Sequence, residues 1–299
     1  MEESTLLWVG KTVFYISLFF TLFIGAKLIF TFRNRKIDVP FELTTKDNVA
    51  FSILTTGYYL GVLIVFVGVI QGESNGMFHD AISILTYGIF GNLLLLAASL
   101  FNEKIVFGRQ LYLYHEIIHD ENKGTGFIEA ANYVGSALII YGAITGKALN
   151  LFPELESTGI FISGFISLIA FWVLGQFILF VCLKTYTHFS KYNVMSQIEK
   201  DNDAVGIVYA SIFVAIAYLY AQAISGDIIS WELTFENLMY YLGLGLILLP
   251  ISRFFVDQVI LPGSSFTHEI IGQKIPNQGA AVIEAFAYIG SAVLISYCI

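Results

Sequence analysis

Charged side chains are scarce in this sequence of 299 residues, of which only 13% are Asp, Glu, Lys or Arg. Soluble domains carry about 25% charged residues, so the chain has roughly half of the usual complement. Hydrophobic residues make up 57% of it, and the mean hydropathy is +0.74. The scarcity of charge therefore excludes an ordinary soluble domain and indicates a polytopic membrane protein.

Cysteine and clustered basic residues are also scarce. The two cysteines, Cys182 and Cys298, lie far apart in apolar stretches, which excludes a disulfide framework and a paired-cysteine metal site. The sequence has 23 acidic residues against 15 basic ones, its net charge is −8, and no basic patch is evident. We therefore expect no nucleic-acid partner, and no cofactor apart from the zinc ion considered below.

Long apolar runs dominate what remains, and eight of them are long enough to cross a bilayer as helices. The predicted spans are 7–32, 49–70, 78–101, 125–146, 159–184, 204–225, 235–256 and 279–299. Their length and their lack of polar faces disfavour core helices of a soluble protein. The predicted fold class is therefore an all-α, polytopic integral membrane protein whose main partner is the lipid bilayer.

Lysine and arginine are distributed unevenly between the loops. The first, third, fifth and seventh loops are basic, whereas the even-numbered loops contain only Lys147. Because cytoplasmic loops carry an excess of Lys and Arg, the odd-numbered loops are predicted to be cytoplasmic and both termini to lie outside.

The second half of the sequence repeats the first. "HEII" occurs at 115–118 and at 268–271, and "IEAANYVGSALI" (128–139) matches "IEAFAYIGSAVL" (283–294) at a similar offset. Recurrence of several markers in the same order indicates a tandem duplication. Each copy has four helices, an even number, so the two copies are predicted to be parallel repeats rather than inverted ones.

The predicted domains are two four-helix transmembrane repeats, 1–150 and 151–299. A weaker similarity is present within each half. "DNVAFSILTTGYYLG", "GTGFIEAANYVGSAL", "DNDAVGIVYASIFVA" and "NQGAAVIEAFAYIGSAV" each open with Asn or Gly, continue with small residues, and follow one another at intervals of close to 77 residues. This spacing suggests that a two-helix unit was duplicated twice.

The stretch "HEIIH" matches the zinc-protease pattern H-E-x-x-H through His115, Glu116 and His119. On a helix, the two imidazoles share one face and bind zinc while the glutamate acts as a general base. The second copy, His268 to Ile271, is followed by Gly272 and lacks the second histidine. We therefore favour amphipathic helix ends at the inner membrane surface, with the Ile pairs in the interface, and keep a zinc protease as the minor alternative.

Ionisable groups inside membrane spans are costly and are functional candidates by default. Glu129 and Glu284 occupy equivalent positions in the two repeats, each followed by small residues that allow close helix packing. Two carboxylates facing the bundle interior could bind a cation or carry a proton. The alternative is structural, because each lies near the cytoplasmic end of its helix and could reach water or the helix N-terminus.

Six further polar residues are candidates for the ion path: Asn132, Asn92, Asp47, Asn48, Asp201 and Asn202. The two Asp-Asn pairs are favoured as N-caps of the second and sixth spans, where they would also attract cations at the inner mouth. For the two isolated asparagines, hydrogen bonding between helices is the favoured role.

Tandem four-helix units, second helices that open with "DNVA" or "DNDA", and fourth helices of the type "IEAANYVGSA" resemble the YjfL-like bacterial inner-membrane proteins. That family consists of four-helix domains of unknown function, of the DUF350/UPF0719 type. The resemblance covers nearly the whole chain. It implies a multi-pass protein of the bacterial cytoplasmic membrane without an assigned enzyme activity, and a channel-like or transport-like role.

The leading hypothesis is thus a non-enzymatic protein that conducts a cation or proton, or transports a small solute, between the duplicated helices. The main alternative is a membrane scaffold or sensor that binds a cytoplasmic protein partner through loops 102–124 and 253–278. Helix faces rich in small residues also make a homo-oligomer, such as a dimer, a possible arrangement.

Overall fold

The computed structural model describes residues 2–72, 76–106, 113–260 and 263–299. Within these ranges the chain forms ten α-helices and no β-strand. They are α1 (Glu2–Arg33), α2 (Val49–Ile70), α3 (Met77–Phe101), α4 (Leu113–Ile118), α5 (Lys123–Ile144), α6 (Glu156–Phe189), α7 (Val194–Ile198), α8 (Asp203–Ile224), α9 (Trp231–Phe255) and α10 (Gln278–Cys298).

The prediction of eight spanning helices is confirmed, since all but α4 and α7 are long and apolar enough to cross a bilayer. The largest boundary errors concern α1, which begins at Glu2, and α6, which ends at Phe189, each five residues beyond the predicted limit. These ends are polar or interfacial, so hydropathy falls before the backbone hydrogen bonding stops.

Asparagine side chains cap the N-termini of four of the spanning helices. The Oδ1 atoms of Asn48, Asn122, Asn202 and Asn277 accept hydrogen bonds from backbone N–H groups in the first turns of α2, α5, α8 and α10. The predicted caps Asn48 and Asn202 are therefore confirmed. Asp47 and Asp201 lie one residue earlier with φ of 55° and 59°, a left-handed conformation that Asp tolerates better than most residues.

The four capped helices pack consecutively in one row, α2–α5–α8–α10. As the second, fourth, sixth and eighth spans, they cross the membrane in the same direction. The most apolar stretch of α8 is 83% buried, against 17% for α1 and for α9, so α8 lies at the centre of the bundle.

Glycine sets the spacing inside this row. A Cβ atom on Gly206 of α8 would overlap the backbone of Gly124 in α5, and one on Gly57 of α2 would overlap Ala130. The small residues that follow each Asn thus let neighbouring backbones touch. Of the outer helices, α1 and α3 flank the first repeat, whereas α6 and α9 flank the second.

Candidate functional site: two buried carboxylates and a cavity

Glu129 lies on α5 at the seventh residue after its cap and is 2% exposed. Its Oε1 accepts a hydrogen bond from the Ser99 hydroxyl of α3, and its Oε2 accepts one from Asn132 Nδ2 at 3.1 Å. Arg33, at the end of α1, donates from Nη2 to Ser99 Oγ and from Nη1 to the Leu96 carbonyl, both at 2.9 Å. The carboxylate is therefore held by three helices and linked to an arginine through one hydroxyl.

Glu284 occupies the same position on α10 and is fully buried. Its Oε1 lies 3.6 Å from Arg253 Nε of α9, and Tyr288, one turn further along α10, also acts on the carboxylate. Within the described part of the chain, neither carboxylate oxygen makes a hydrogen bond of good geometry. The Arg253 guanidinium donates to the Thr267 hydroxyl at 2.9 Å and lies 5.3 Å from the centre of the Phe266 ring. A buried carboxylate with one ionic contact and no hydrogen bond of good geometry is costly to keep charged.

The structure does not bring the two carboxylates into one site. Glu129 and Glu284 lie on α5 and α10, which pack on α8 as its two neighbours in the row. Each carboxylate has its own arginine, and the arginines come from non-equivalent spans, the first and the seventh. The geometry therefore gives two separate clusters, each with one buried carboxylate and one arginine.

The sequence analysis counted basic residues only to orient the loops, and the arginines Arg33 and Arg253 were not predicted as members of these clusters. Arg253 falls inside the predicted span 235–256, and an ionisable group within a span is a signal that could have identified it. Arg33 sits at a span end, where a basic residue is ordinary, so no comparable signal was available.

A cavity of about 420 Å³ lies in the second repeat between α6, α8, α9 and α10. Arg253 and the tyrosines Tyr186 and Tyr288 line it, and most of the remaining surface is apolar. Because Arg253 also contacts Glu284, the buried carboxylate lies next to the polar part of this cavity.

The equivalent space in the first repeat is filled by Tyr58, which is fully buried. Its hydroxyl donates to Asn92 Oδ1 at 2.6 Å, confirming that Asn92 makes a hydrogen bond between helices, and its ring stacks on Phe30 at 4.7 Å. At the corresponding positions the second repeat has Ile212 and Gly245, and both line the cavity. The cavity thus occurs where the hydrogen-bonded Tyr–Asn pair is replaced by smaller residues.

Asn132 bonds Glu129 through Nδ2, while its Oδ1 has no partner among the described residues. In the cap residues Asn48 and Asn202, both the Oδ1 and the Nδ2 atoms are hydrogen bonded. Each Nδ2 donates to a backbone carbonyl in another segment, that of Ile117 at 2.9 Å and that of Ile270 at 2.8 Å. Burial raises the pKa of Asp201, which lies outside the spans.

His115 and Glu116 lie on the short helix α4, and His119 follows in a turn, with 5.1 Å between the two histidine ring centres. His115 Nδ1 pairs with Asp120 Oδ2 at 2.8 Å, and Glu116 accepts a hydrogen bond from Asn122 at 3.0 Å. Burial raises the pKa of Glu116. In the part of the chain that the structure describes, no three His, Cys, Asp or Glu residues are grouped to hold a metal ion.

The predicted placement of the Ile pairs in the membrane interface is wrong for the first HEII segment. Ile117 and Ile118 are buried in the protein core with Phe51 of α2. The segment folds back onto the helix row, and the apolar side chains are covered by protein instead of lipid. Of the second pair, Ile270 is also fully buried.

Comparison with known proteins agrees with the tandem architecture. The model of the family described as "Domain of Unknown Function (DUF350)" matches the chain twice, over residues 4–144 and 160–299. A relative named UPF0719 transmembrane protein, from Aquifex aeolicus, is 28% identical over 218 residues, which is 72% of this chain and 72% of that protein. No solved structure matches. The chain is therefore similar to a transmembrane protein and carries a domain of unknown function twice.

Proposed function

Since the chain belongs to the DUF350 family and carries its domain twice, we propose that it performs proton-linked transport of a small solute across the bacterial inner membrane. Glu284 carries the proton, and the cavity beside Arg253 takes the solute. The observation that carries the proposal is a fully buried carboxylate without a hydrogen bond of good geometry, placed next to an open cavity.

Charge balance favours a proton over a metal cation. Arg253 already forms an ion pair with Glu284, so this carboxylate is less available to a metal ion. Protonation of Glu284 removes its attraction to the guanidinium and leaves Arg253 with an uncompensated charge at the cavity wall. The proton thus changes the electrostatic state of the space in which a solute binds.

The cavity fits the solute side of the proposal. Its volume of about 420 Å³ lies in the range of ligand sites, roughly 300–1,000 Å³, and such sites are mostly apolar with a few polar groups. Arg253, Tyr186 and Tyr288 are polar groups of this lining, together with Thr185 and Ser190. They suit a small, largely apolar molecule with one hydrogen-bonding or acidic end.

The two repeats then have different roles. In the first repeat, Ser99 and Asn132 hydrogen bond Glu129, and Tyr58 fills the space that is open in the second. We assign the first repeat to structural support and the second to transport.

The test is proton flux into proteoliposomes loaded with a pH-sensitive dye, with the membrane potential clamped by K⁺ and valinomycin and with benzenesulfonate, a small amphipathic anion of the kind that the cavity suits, added outside. We expect wild-type protein to exceed empty vesicles, Glu284→Gln to fall to the empty-vesicle rate, and Glu236→Gln to retain the wild-type rate. Glu236 is the control because it is exposed on α9, far along the helix from Arg253.

A second variant tests the cavity without removing a carboxylate. Ile212→Tyr/Gly245→Asn installs the residue pair of the first repeat and should also abolish flux. Wild-type flux in both Glu284→Gln and this cavity-filled variant would overturn the proposal, and wild-type protein no faster than empty vesicles would favour the scaffold hypothesis instead. Monodispersity and thermal stability confirm that each variant is folded.

A further inference from the structure

The helix row is built from four similar units, each with a capping Asn and a short segment before it. In every unit the Asn Nδ2 donates to a side chain of its own segment. These contacts are Asn48–Glu42 at 2.8 Å, Asn122–Glu116 at 3.0 Å, Asn202–Gln197 at 3.0 Å and Asn277–Glu269 at 2.8 Å.

In the first three units the same Nδ2 also reaches into the next unit. The second acceptors are the backbone carbonyls of Ile117 at 2.9 Å, Ile198 at 2.6 Å and Ile270 at 2.8 Å, for Asn48, Asn122 and Asn202 in turn. Each acceptor is the residue directly after the segment's own Glu or Gln. The three joints between units therefore use one repeated geometry.

Among the described residues, the fourth unit is the last one in the row. Asn277 Nδ2 bonds Glu269 and, among the described residues, has no carbonyl acceptor in another segment. In the first unit, the residue that corresponds to these acceptors is Leu43, which directly follows Glu42. Among the described residues, no side chain donates a hydrogen bond to the Leu43 carbonyl. The second N–H of the Asn277 amide and the Leu43 carbonyl are complementary, and within the described ranges neither takes part in a joint between units.

The outer helices α6 and α1 show the same difference between a packed internal joint and an unpacked end of the row. In the second repeat α6 packs on both α5 and α8, covering the joint between them, and a Cβ on Gly175 would lie 2.8 Å from Ile139. The equivalent pair is Gly25 of α1 and Leu294 of α10. A Cβ on Gly25 would meet nothing within 4 Å, and Leu294 is 63% exposed, whereas Ile139 is fully buried.

A glycine on α10 also lacks the neighbour that its counterparts have in the next helix. Gly61 and Gly135 occupy one register position, and a Cβ there would lie 3.2 Å from the Tyr133 carbonyl and 2.7 Å from the Phe213 ring of the next helix. Gly290 occupies that position on α10, and a Cβ there would meet only the ring of Phe286 on the same helix, at 3.7 Å.

We propose that a second copy of this chain continues the row. Its α1 and α2 pack on α10 of the first copy, its Leu43 carbonyl accepts from Asn277, and its Gly25 receives Leu294. The contact is head-to-tail, between different faces of identical chains, so repetition gives a ring of copies around an axis normal to the membrane where the rotation closes, and an open row where it does not. Phe286 of α10 is 71% exposed. The three inner helices of the row have the smaller residues Gly57, Ala131 and Ser211 at the corresponding position, so the joint between two copies is wider there than the internal joints.

Cysteine cross-linking in native membranes tests the proposal directly. In a background without Cys182 and Cys298, Gly25→Cys/Leu294→Cys should give disulfide-linked multimers after mild oxidation. The internal counterpart Gly175→Cys/Ile139→Cys should form its disulfide within one chain and remain a monomer on a denaturing gel.

Single variants distinguish head-to-tail contact from other arrangements. Neither Gly25→Cys nor Leu294→Cys should cross-link alone, whereas co-expression of the two should give a dimer. Absence of multimers from the double variant, while the internal pair does oxidise, would overturn the proposal. So would a dimer formed by Leu294→Cys alone, since that product requires two α10 faces to meet.

Discussion

The capping asparagine of α5 should contribute more to stability than that of α10, because it makes one more hydrogen bond. Asn122 is 1% exposed, caps the Thr125 N–H at 2.9 Å, and donates to Glu116 and to the Ile198 carbonyl. Asn277 caps α10 and donates only to Glu269. Replacing each by alanine therefore distinguishes the free energy contributed by the N-cap from that contributed by the hydrogen bond to the next unit.

The expected magnitudes follow from these contacts. Loss of an N-cap costs about 1 kcal/mol, which applies to both variants. Asn122→Ala also leaves the buried Ile198 carbonyl without this donor, which adds about 1–3 kcal/mol. We therefore expect destabilisation of about 3 kcal/mol for Asn122→Ala and about 1 kcal/mol for Asn277→Ala.

The assay is reversible unfolding of the monomeric protein in mixed micelles, followed by circular dichroism as the fraction of denaturing detergent increases. Monomeric protein is needed so that no contact between copies adds to the value for Asn277. If Asn122→Ala were no less stable than Asn277→Ala, the argument that the asparagines join successive units would be refuted.

Three further predictions concern other parts of the molecule. Cys182 lines the cavity, so a maleimide should label it in a variant whose other cysteine is replaced, and the cavity-filled double variant defined above should block that labelling. Gly206→Ala should destabilise the protein by about 1–3 kcal/mol in the same unfolding assay, because its Cβ would overlap the α5 backbone, whereas Gly243→Ala, in open space, should not. Because burial raises the pKa of Glu116, the folded state binds its proton more tightly than the unfolded state. The unfolding free energy should therefore fall as the pH rises from the unfolded-state pKa of this carboxyl to its folded-state pKa, and Glu116→Gln should weaken that dependence and leave the part due to Asp201.

Much of the architecture could be predicted from the sequence because membrane spans depend on length and apolar content alone. The interhelical hydrogen bond of Asn92 and the caps Asn48 and Asn202 also followed from residue type and position. The burial of Ile117 and Ile118 did not, because hydropathy does not distinguish lipid from a neighbouring helix as the covering surface.

The candidate site was only partly predictable. Alignment of the repeats identified Glu129 and Glu284 as equivalent, but not the different helices that supply their arginines. The cavity depends on the contrast between the Tyr58–Asn92 pair and its smaller counterparts, which the aligned sequences contain. The aligned sequences do not show, however, that Ile212 and Gly245 face one space, because the two residues lie on different helices.

The most direct test of the account compares proton flux through Glu284→Gln and Glu129→Gln, reconstituted at equal protein density and measured side by side. The account predicts that Glu284→Gln loses flux, while Glu129→Gln retains it and is less stable to unfolding. Retained flux in Glu284→Gln together with lost flux in Glu129→Gln would contradict the assignment of transport to the second repeat.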